Sequence, residues 1–279
     1  MTAALTVALV QMRAGRNAPG NVATIERLVR EAAQAGAQYV QTPENSTAMD
    51  EDRARLMAST TAEGHSAALG AFRDLAGELA IWLHIGSMAV ALPSGRLANR
   101  SLLLAPDGTI AARYDKIHMF DVDLPGRESY RESHSFEAGG EAVTAQLPCG
   151  RLGLSICYDL RFAALYRTLA QAGAAILAVP SAFTRQTGQA HWHTLLRARA
   201  IETGSYVLAA AQGGLHENGR ETFGHSLIVS PNGDILAEAG IDPCVVSAHI
   251  DLTIVEDFRR KIPSMRQDRA FAPPAANGH

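Results

Sequence analysis

The chain of 279 residues is poor in cysteine, holding only Cys149, Cys157 and Cys244. Three widely spaced thiols make neither a disulfide framework nor a paired-cysteine zinc site, so a reducing, cytoplasmic setting is expected. Charge is scarce too: 19% of residues are charged and 47% are hydrophobic. That much apolar surface must be hidden in a thick core or a subunit interface, and a homodimer or higher homo-oligomer is expected. No basic excess is present, the formal net charge being −3. Phosphate backbones and anionic lipid then have little to attract them, so neither nucleic acid nor membrane is an expected partner. Long apolar runs are missing as well. The opening stretch, Met1-Thr-Ala-Ala-Leu-Thr-Val-Ala-Leu-Val, lacks a basic leader and ends at Gln11, too short for a membrane span. The sequence contains no Gly-x-Ser-x-Gly elbow, phosphate loop or dinucleotide fingerprint, which removes the main support for serine hydrolase, kinase and dehydrogenase readings.

What the chain does contain alternates. Leu5 to Val10 reads as a strand buried on both faces, and Ile25, Leu28, Val29 and Ala32 repeat at helical spacing. A second strand runs into Thr42-Pro43-Glu44-Asn45, leaving Glu44 at the C-terminal tip, where open α/β sheets collect ligands. A second helix and the strand Trp82 to Ala91 follow. Leu92-Pro-Ser-Gly95 and Ala105-Pro-Asp-Gly108 are turn sequences, so two hairpins are expected there, with Lys116 just past the last strand. Residues 117–140 have no period and read as a long loop covering a site, with Glu128, Glu132, Glu137 and Glu141 on or beside it. Arg151 to Phe162 then delivers Cys157 from a short apolar strand to the start of a helix over Leu160 to Ala172, capped by Asp159. A helix dipole there favours the thiolate, the nucleophilic form of cysteine. Further strands and a helix over Ala190 to Glu202 complete a second half ordered like the first, and 272–279 reads as a disordered tail. One domain over residues 1–271 is expected. Two half-sheets, each covered by a pair of helices, bury most apolar surface by stacking, so the expected α/β architecture is a four-layer αββα sandwich of two mixed β-sheets.

Thr-Pro-Glu44-Asn, Tyr-Asp-Lys116-Ile-His and Ile-Cys157-Tyr-Asp-Leu-Arg161-Phe, in this order, resemble the nitrilase superfamily of carbon–nitrogen hydrolases, over nearly the whole chain. Thr187-Gly-Gln-Ala-His-Trp192, Leu196-Arg-Ala-Arg-Ala-Ile-Glu202 and Gly224-His-Ser226 look like the branch of deaminated glutathione amidase and omega-amidase. The resemblance implies a cysteine nucleophile at Cys157, a general base at Glu44, an oxyanion-binding lysine at Lys116 and a second glutamate at Glu132. It implies a further oxyanion donor in the Tyr158 N–H, a carboxylate-binding arginine at Arg161 and a hydroxyl partner at Thr187. Amide hydrolysis asks for this set of groups: a nucleophile, a base that serves it and later activates water, and a cation at the developing oxyanion. The expected substrate is a small linear carboxylate-bearing amide, hydrolysed through a thioester with no cofactor. Ser181, Leu195 to Glu202 and Ala209-Ala-Ala-Gln212 incline it to the deaminated glutathione side. Omega-amidase action on 2-oxoglutaramate, nitrilase action on a C≡N group and a non-catalytic binding module are the alternatives. His191 and His193 invite a metal reading, but two histidines without a third ligand nearby are assigned to helix packing, and no metal is expected.

Overall fold

A computed structural model describes residues 4–124, 129–272 and 274. In chain order the elements are β1 (Ala4–Gln11), α1 (Ala18–Gln34), β2 (Tyr39–Gln41), α2 (Arg53–Ser59), α3 (Ala67–Leu79), β3 (Trp82–Ala91), β4 (Leu97–Leu104) and β5 (Ile110–Asp115). They continue with β6 (Asp121–Asp123), β7 (Ser129–Arg131), β8 (Thr144–Leu147), β9 (Gly150–Leu154), α4 (Ala163–Gln171), β10 (Ala174–Ala178) and α5 (Arg185–Thr203). The last are β11 (Tyr206–Ala209), β12 (Gly213–Leu215), β13 (Glu221–Phe223), β14 (Leu227–Val229), β15 (Ile235–Glu238), β16 (Cys244–Asp251) and α6 (Thr253–Lys261).

Two six-stranded mixed sheets, ordered β16-β1-β2-β3-β4-β5 and β15-β14-β11-β10-β9-β8, stack face to face. The period of two along β1 sorts its side chains. Leu5, Val7 and Leu9 meet Leu152, Leu154, Ile176 and Leu208 of the second sheet, whereas Ala8 and Val10 pack with Ile25 and Leu28 of α1 and Phe72 of α3. On the other side Leu165 and Leu169 of α4 and Leu196 and Ala200 of α5 cover the second sheet. The four-layer αββα sandwich is therefore the observed fold.

Several boundaries differ from the sequence reading, each for a local reason. β16 leaves the second half and pairs antiparallel with β1 from Ala4↔Asp251 to Gln11↔Cys244, covering an apolar edge of the first sheet, so the halves are interlocked rather than separate. β8 adds an unforeseen edge to the second sheet. Helix α5 starts at Arg185 instead of Ala190, because the Thr184 side chain caps it by accepting the Thr187 N–H. Asp159 does not cap α4, which begins at Ala163; its carboxylate is taken by the Tyr114 hydroxyl, the His118 backbone and ring N–H and the Ile156 N–H. The 117–140 loop carries the β6–β7 hairpin and a 3₁₀ turn at Glu132–His134. In α6, Arg259 is held by its own chain at Thr203, Ala174 and Ser205. Glu128, and 272–279 apart from residues 272 and 274, lie outside the described residues.

Candidate active site

Four loops meet at one end of the stacked sheets. Glu44 follows β2, Lys116 follows β5, Cys157 follows β9 and Ala182 follows β10. Packing leaves the Glu44 loop no slack: a Cβ on Gly86 of β3 would lie 2.0 Å from the Thr42 carbonyl oxygen and 2.6 Å from that of Pro43. Only glycine lets the strand come this close to the Glu44 turn.

Lys116 Nζ donates to Glu44 Oε1 at 2.8 Å and to Glu132 Oε2 at 2.8 Å and Oε1 at 3.1 Å. Its side chain is 2% exposed, so the ammonium is paired because it could not be left bare at this depth. Asn99 Nδ2 bridges the same carboxylates, at 3.1 Å to Glu44 Oε1 and 3.0 Å to Glu132 Oε1. The Ala182 N–H donates to Glu44 Oε2 at 3.0 Å, and the Phe120 N–H to Glu132 Oε2 at 2.7 Å. An ammonium has three protons. With one on Glu44 and one shared by the Glu132 oxygens, a third is left for a substrate oxygen.

Cys157 opens a 3₁₀ turn, Cys157–Arg161, with φ 48°, a left-handed conformation that non-glycine residues rarely adopt and that marks functional positions. Two ties hold the turn. The Cys157 N–H donates to the Pro180 carbonyl at 2.9 Å, and buried Asp159 accepts Tyr114 Oη at 2.6 Å and His118 Nδ1 at 2.6 Å. Tyr114 and His118 flank Lys116 in sequence, so Asp159 fixes the cysteine turn against the lysine loop.

The electrostatics overturn the expectation of a resting thiolate. Burial pushes the Cys157 thiol well above its ordinary value, the Glu44 charge pushes it further, and Lys116 opposes without prevailing. For Glu44, burial would raise the pKa, but the Lys116 charge and hydrogen bond, with the Cys157 thiol and Arg220, together lower it. Burial pulls Lys116 down, yet Glu132 and Glu44 outweigh it and raise the ammonium pKa. The resting pair is a neutral thiol beside a carboxylate, the arrangement in which a base removes the proton as the sulfur attacks.

A cavity of about 300 Å³ opens above these groups, and its wall includes Tyr158, Arg161, Phe183, Thr187 and Arg220. All seven residues singled out from the sequence line it: Glu44, Lys116, Glu132, Cys157, Tyr158, Arg161 and Thr187. Of the other loop acids, Glu137 is exposed and accepts from Ser94 Oγ at 2.9 Å, away from Lys116. The sequence reading missed Asn99, the Phe120 N–H and Arg220. Asn99 had a signal, a polar residue inside the apolar run of β4; Arg220 had none, being one charged loop residue among many. The histidines part company. His191 lies 3.3 Å from Arg161 through Nδ1, whereas His193 faces Glu238.

A buried thiol beside a carboxylate, with an ammonium at the floor of a cavity, is the equipment of a hydrolase that works through a covalent intermediate. The carbon–nitrogen hydrolase profile matches residues 6–260. Deaminated glutathione amidase of Yersinia enterocolitica is 40% identical over 94% of this chain and 92% of its own length. Human omega-amidase NIT2 is 35% identical over 95% of each. The crystal structure of the C. elegans NitFhit protein superposes with a TM-score of 0.89 at 35% identity, covering 96% of this chain and 66% of that one, so the chain spans just under two thirds of NitFhit. The chain belongs to the carbon–nitrogen hydrolase family, within the nitrilase superfamily, and is an amide-hydrolysing enzyme.

Proposed function

We propose that the protein hydrolyses the C–N bond of a small linear amide carrying a carboxylate, of the deaminated glutathione type, through a thioester on Cys157. The observation that carries the substrate class is a pair of cationic side chains on the cavity wall. Arg161 and Arg220 form no ion pair among the described residues. The Arg161 guanidinium sits over the Phe183 ring at 5.3 Å, and Arg220 sits over Tyr130 at 5.1 Å with a buried Nε that has no acceptor. Guanidinium groups placed over aromatic rings, with donors to spare, are prepared for a bidentate carboxylate.

In the proposed cycle Glu44 takes the Cys157 proton as Sγ attacks the amide carbon. The oxyanion is held by Lys116 Nζ and by the Tyr158 N–H, which has no acceptor among the described residues. Glu44 returns the proton to the leaving nitrogen, the C–N bond breaks, and ammonia or an amine departs. Glu44 then deprotonates a water that attacks the thioester, releasing the acid and restoring the thiol. Glu132 keeps Lys116 charged and in place, while Thr187 offers a hydroxyl to the substrate. We place this enzyme in a reducing cytoplasm, as one domain over residues 1–271 and as a homodimer; no helix among the described residues is long and apolar enough to cross a membrane. Sedimentation at micromolar concentration should give twice the chain mass, and a monomer there would overturn the dimer.

The substrate test is kcat/KM for deaminated glutathione, 2-oxoglutaramate, succinamate and butyramide, in wild type and Arg161→Lys. Loss of a charge-assisted contact of about 1.5–3 kcal/mol makes butyramide roughly 10–100-fold poorer than the acids. Lysine keeps the charge without the planar fork, so the variant should erode that preference more than it slows butyramide. Equal rates on butyramide and the acids in wild type would make the carboxylate class wrong, and a best rate on 2-oxoglutaramate would favour omega-amidase action.

The pH profile follows from the shifts. With the Glu44 pKa below its ordinary 4.5, the base stays ionised and the acid limb of kcat/KM should fall below that value. With Lys116 above 10.5 and the Cys157 thiol above 9.0, neither titrates near neutrality. Stopped assays across pH should therefore show a broad plateau. A rise governed by a group near the usual thiol range would mean that the thiolate, not the thiol, is the reactive resting form.

A further inference from the structure

Away from the catalytic cavity, three elements bring metal-ligating side chains together. His193 comes from the middle of α5, His225 from the turn before β14 and Glu238 from the end of β15. His193 Nε2 lies 2.9 Å and His225 Nδ1 2.8 Å from the same oxygen, Glu238 Oε1. The three ligand atoms all lie within 4.8 Å of one another, and none of the three residues lines the catalytic cavity. The sequence offered only His191 and His193 as a pair; the fold discards His191 and supplies two other partners.

The His225 ring is held in advance. Its backbone adopts a left-handed φ of 55°, its N–H donates to the Gly240 carbonyl at 2.9 Å, and its carbonyl accepts the buried Trp192 Nε1–H at 2.8 Å. The ring stacks on Phe223 with centroids 4.4 Å apart. Helix, turn and strand are rigid supports, and the histidines are half-buried with Glu238 exposed, so an ion from solvent has a way in.

We propose that His193, His225 and Glu238 form a binding site for a divalent transition-metal ion of the zinc and cobalt class, separate from the catalytic centre. Two imidazoles and a carboxylate suit this class, and water completes the coordination. Tetrahedral ligands at about 2.1 Å from a metal stand roughly 3.4 Å apart, so each N···O separation has only to open by about half an ångström. Without metal, both ring nitrogens facing Glu238 carry a proton. Binding moves that proton to the other nitrogen of the ring or to solvent, because the nitrogen that meets the metal must offer its lone pair.

The test is a Zn²⁺ titration of untagged protein by calorimetry at micromolar metal, repeated on Cys157→Ser to remove the only thiol in the cavity. The expected result is one equivalent bound in both, with a rise in Tm on adding Zn²⁺. His193→Gln, His225→Asn and Glu238→Gln should each weaken binding by at least about 100-fold, exceeding the 10–100-fold cost typical of an outer-shell partner. Asparagine tolerates the left-handed backbone, so the His225 variant should still fold. No binding in wild type, binding lost in Cys157→Ser, or binding that persists unchanged in the three variants would each overturn the site.

Discussion

Cys157→Ser is expected to fold like wild type and to lose nearly all amide hydrolysis. The side chain is buried against Ile156 and Leu160, and a hydroxyl is close enough in size to a thiol that packing should change by less than about 1.5 kcal/mol. The φ of 48° strains serine no more than cysteine. Chemistry separates them. Glu44, held anionic with its pKa lowered, is a weak base; it can still assist a thiol, even one that burial raises above its ordinary value, but an alcohol in the same place is far less acidic again. A loss of at least about a thousandfold in kcat is expected, on the scale seen when a nucleophile is removed elsewhere. Single-turnover assays with mass spectrometry should show no acyl adduct, with Tm unchanged. Retention of more than about a tenth of wild-type kcat is outside anything covalent cysteine catalysis allows, and would sink the assignment.

Lys116→Met should be as damaging to activity and far more damaging to the fold. Methionine matches the lysine stem but leaves Glu44 and Glu132, 4% and 13% exposed, facing each other without a cation. Breaking a buried pair by deleting one partner costs about 3–5 kcal/mol, and here two carboxylates lose the same partner. For a chain of this length that lowers Tm by on the order of 10 °C. Glu44→Gln is the control, because Lys116 keeps Glu132; it should lose activity with a much smaller change in Tm. The sign with pH is also set. In Lys116→Met, Glu44 loses the charge and hydrogen bond that offset its burial and shifts above its unfolded value, so the variant is least destabilised below the unfolded carboxylate pKa and loses stability as pH rises through the folded pKa. Calorimetric Tm from pH 4 to 8, roughly the span over which such carboxyls titrate, checks this. A Tm equal to wild type at neutral pH would mean that the lysine is not the charge that balances this site.

The residues proposed as catalytic were legible because each sits where a pattern ends. Glu44 stands after a strand stopped by Pro43, Lys116 after a hairpin strand, and Cys157 after the short run of β9; position along the chain carried the signal. The family resemblance then named roles that periodicity could not. Glu132 was separable from Glu137 and Glu141 only through that resemblance, because a loop without period carries no spatial information.

The sequence by itself determined the alternation of strands and helices, the stacking of two sheets and the identity of the residues at the strand tips, because burial periodicity and turn chemistry are local properties. Tertiary structure decided what depends on several distant segments at once. It decided that β16 would cross to β1, that Asp159 would tie the cysteine turn to the lysine loop instead of capping a helix, and that Cys157 would rest as a thiol. The last is a balance among burial, Glu44 and Lys116, and electrostatic energy follows distances and depth, which no spacing along the chain records. The same holds for His193, whose partners His225 and Glu238 lie 32 and 45 residues further along the chain.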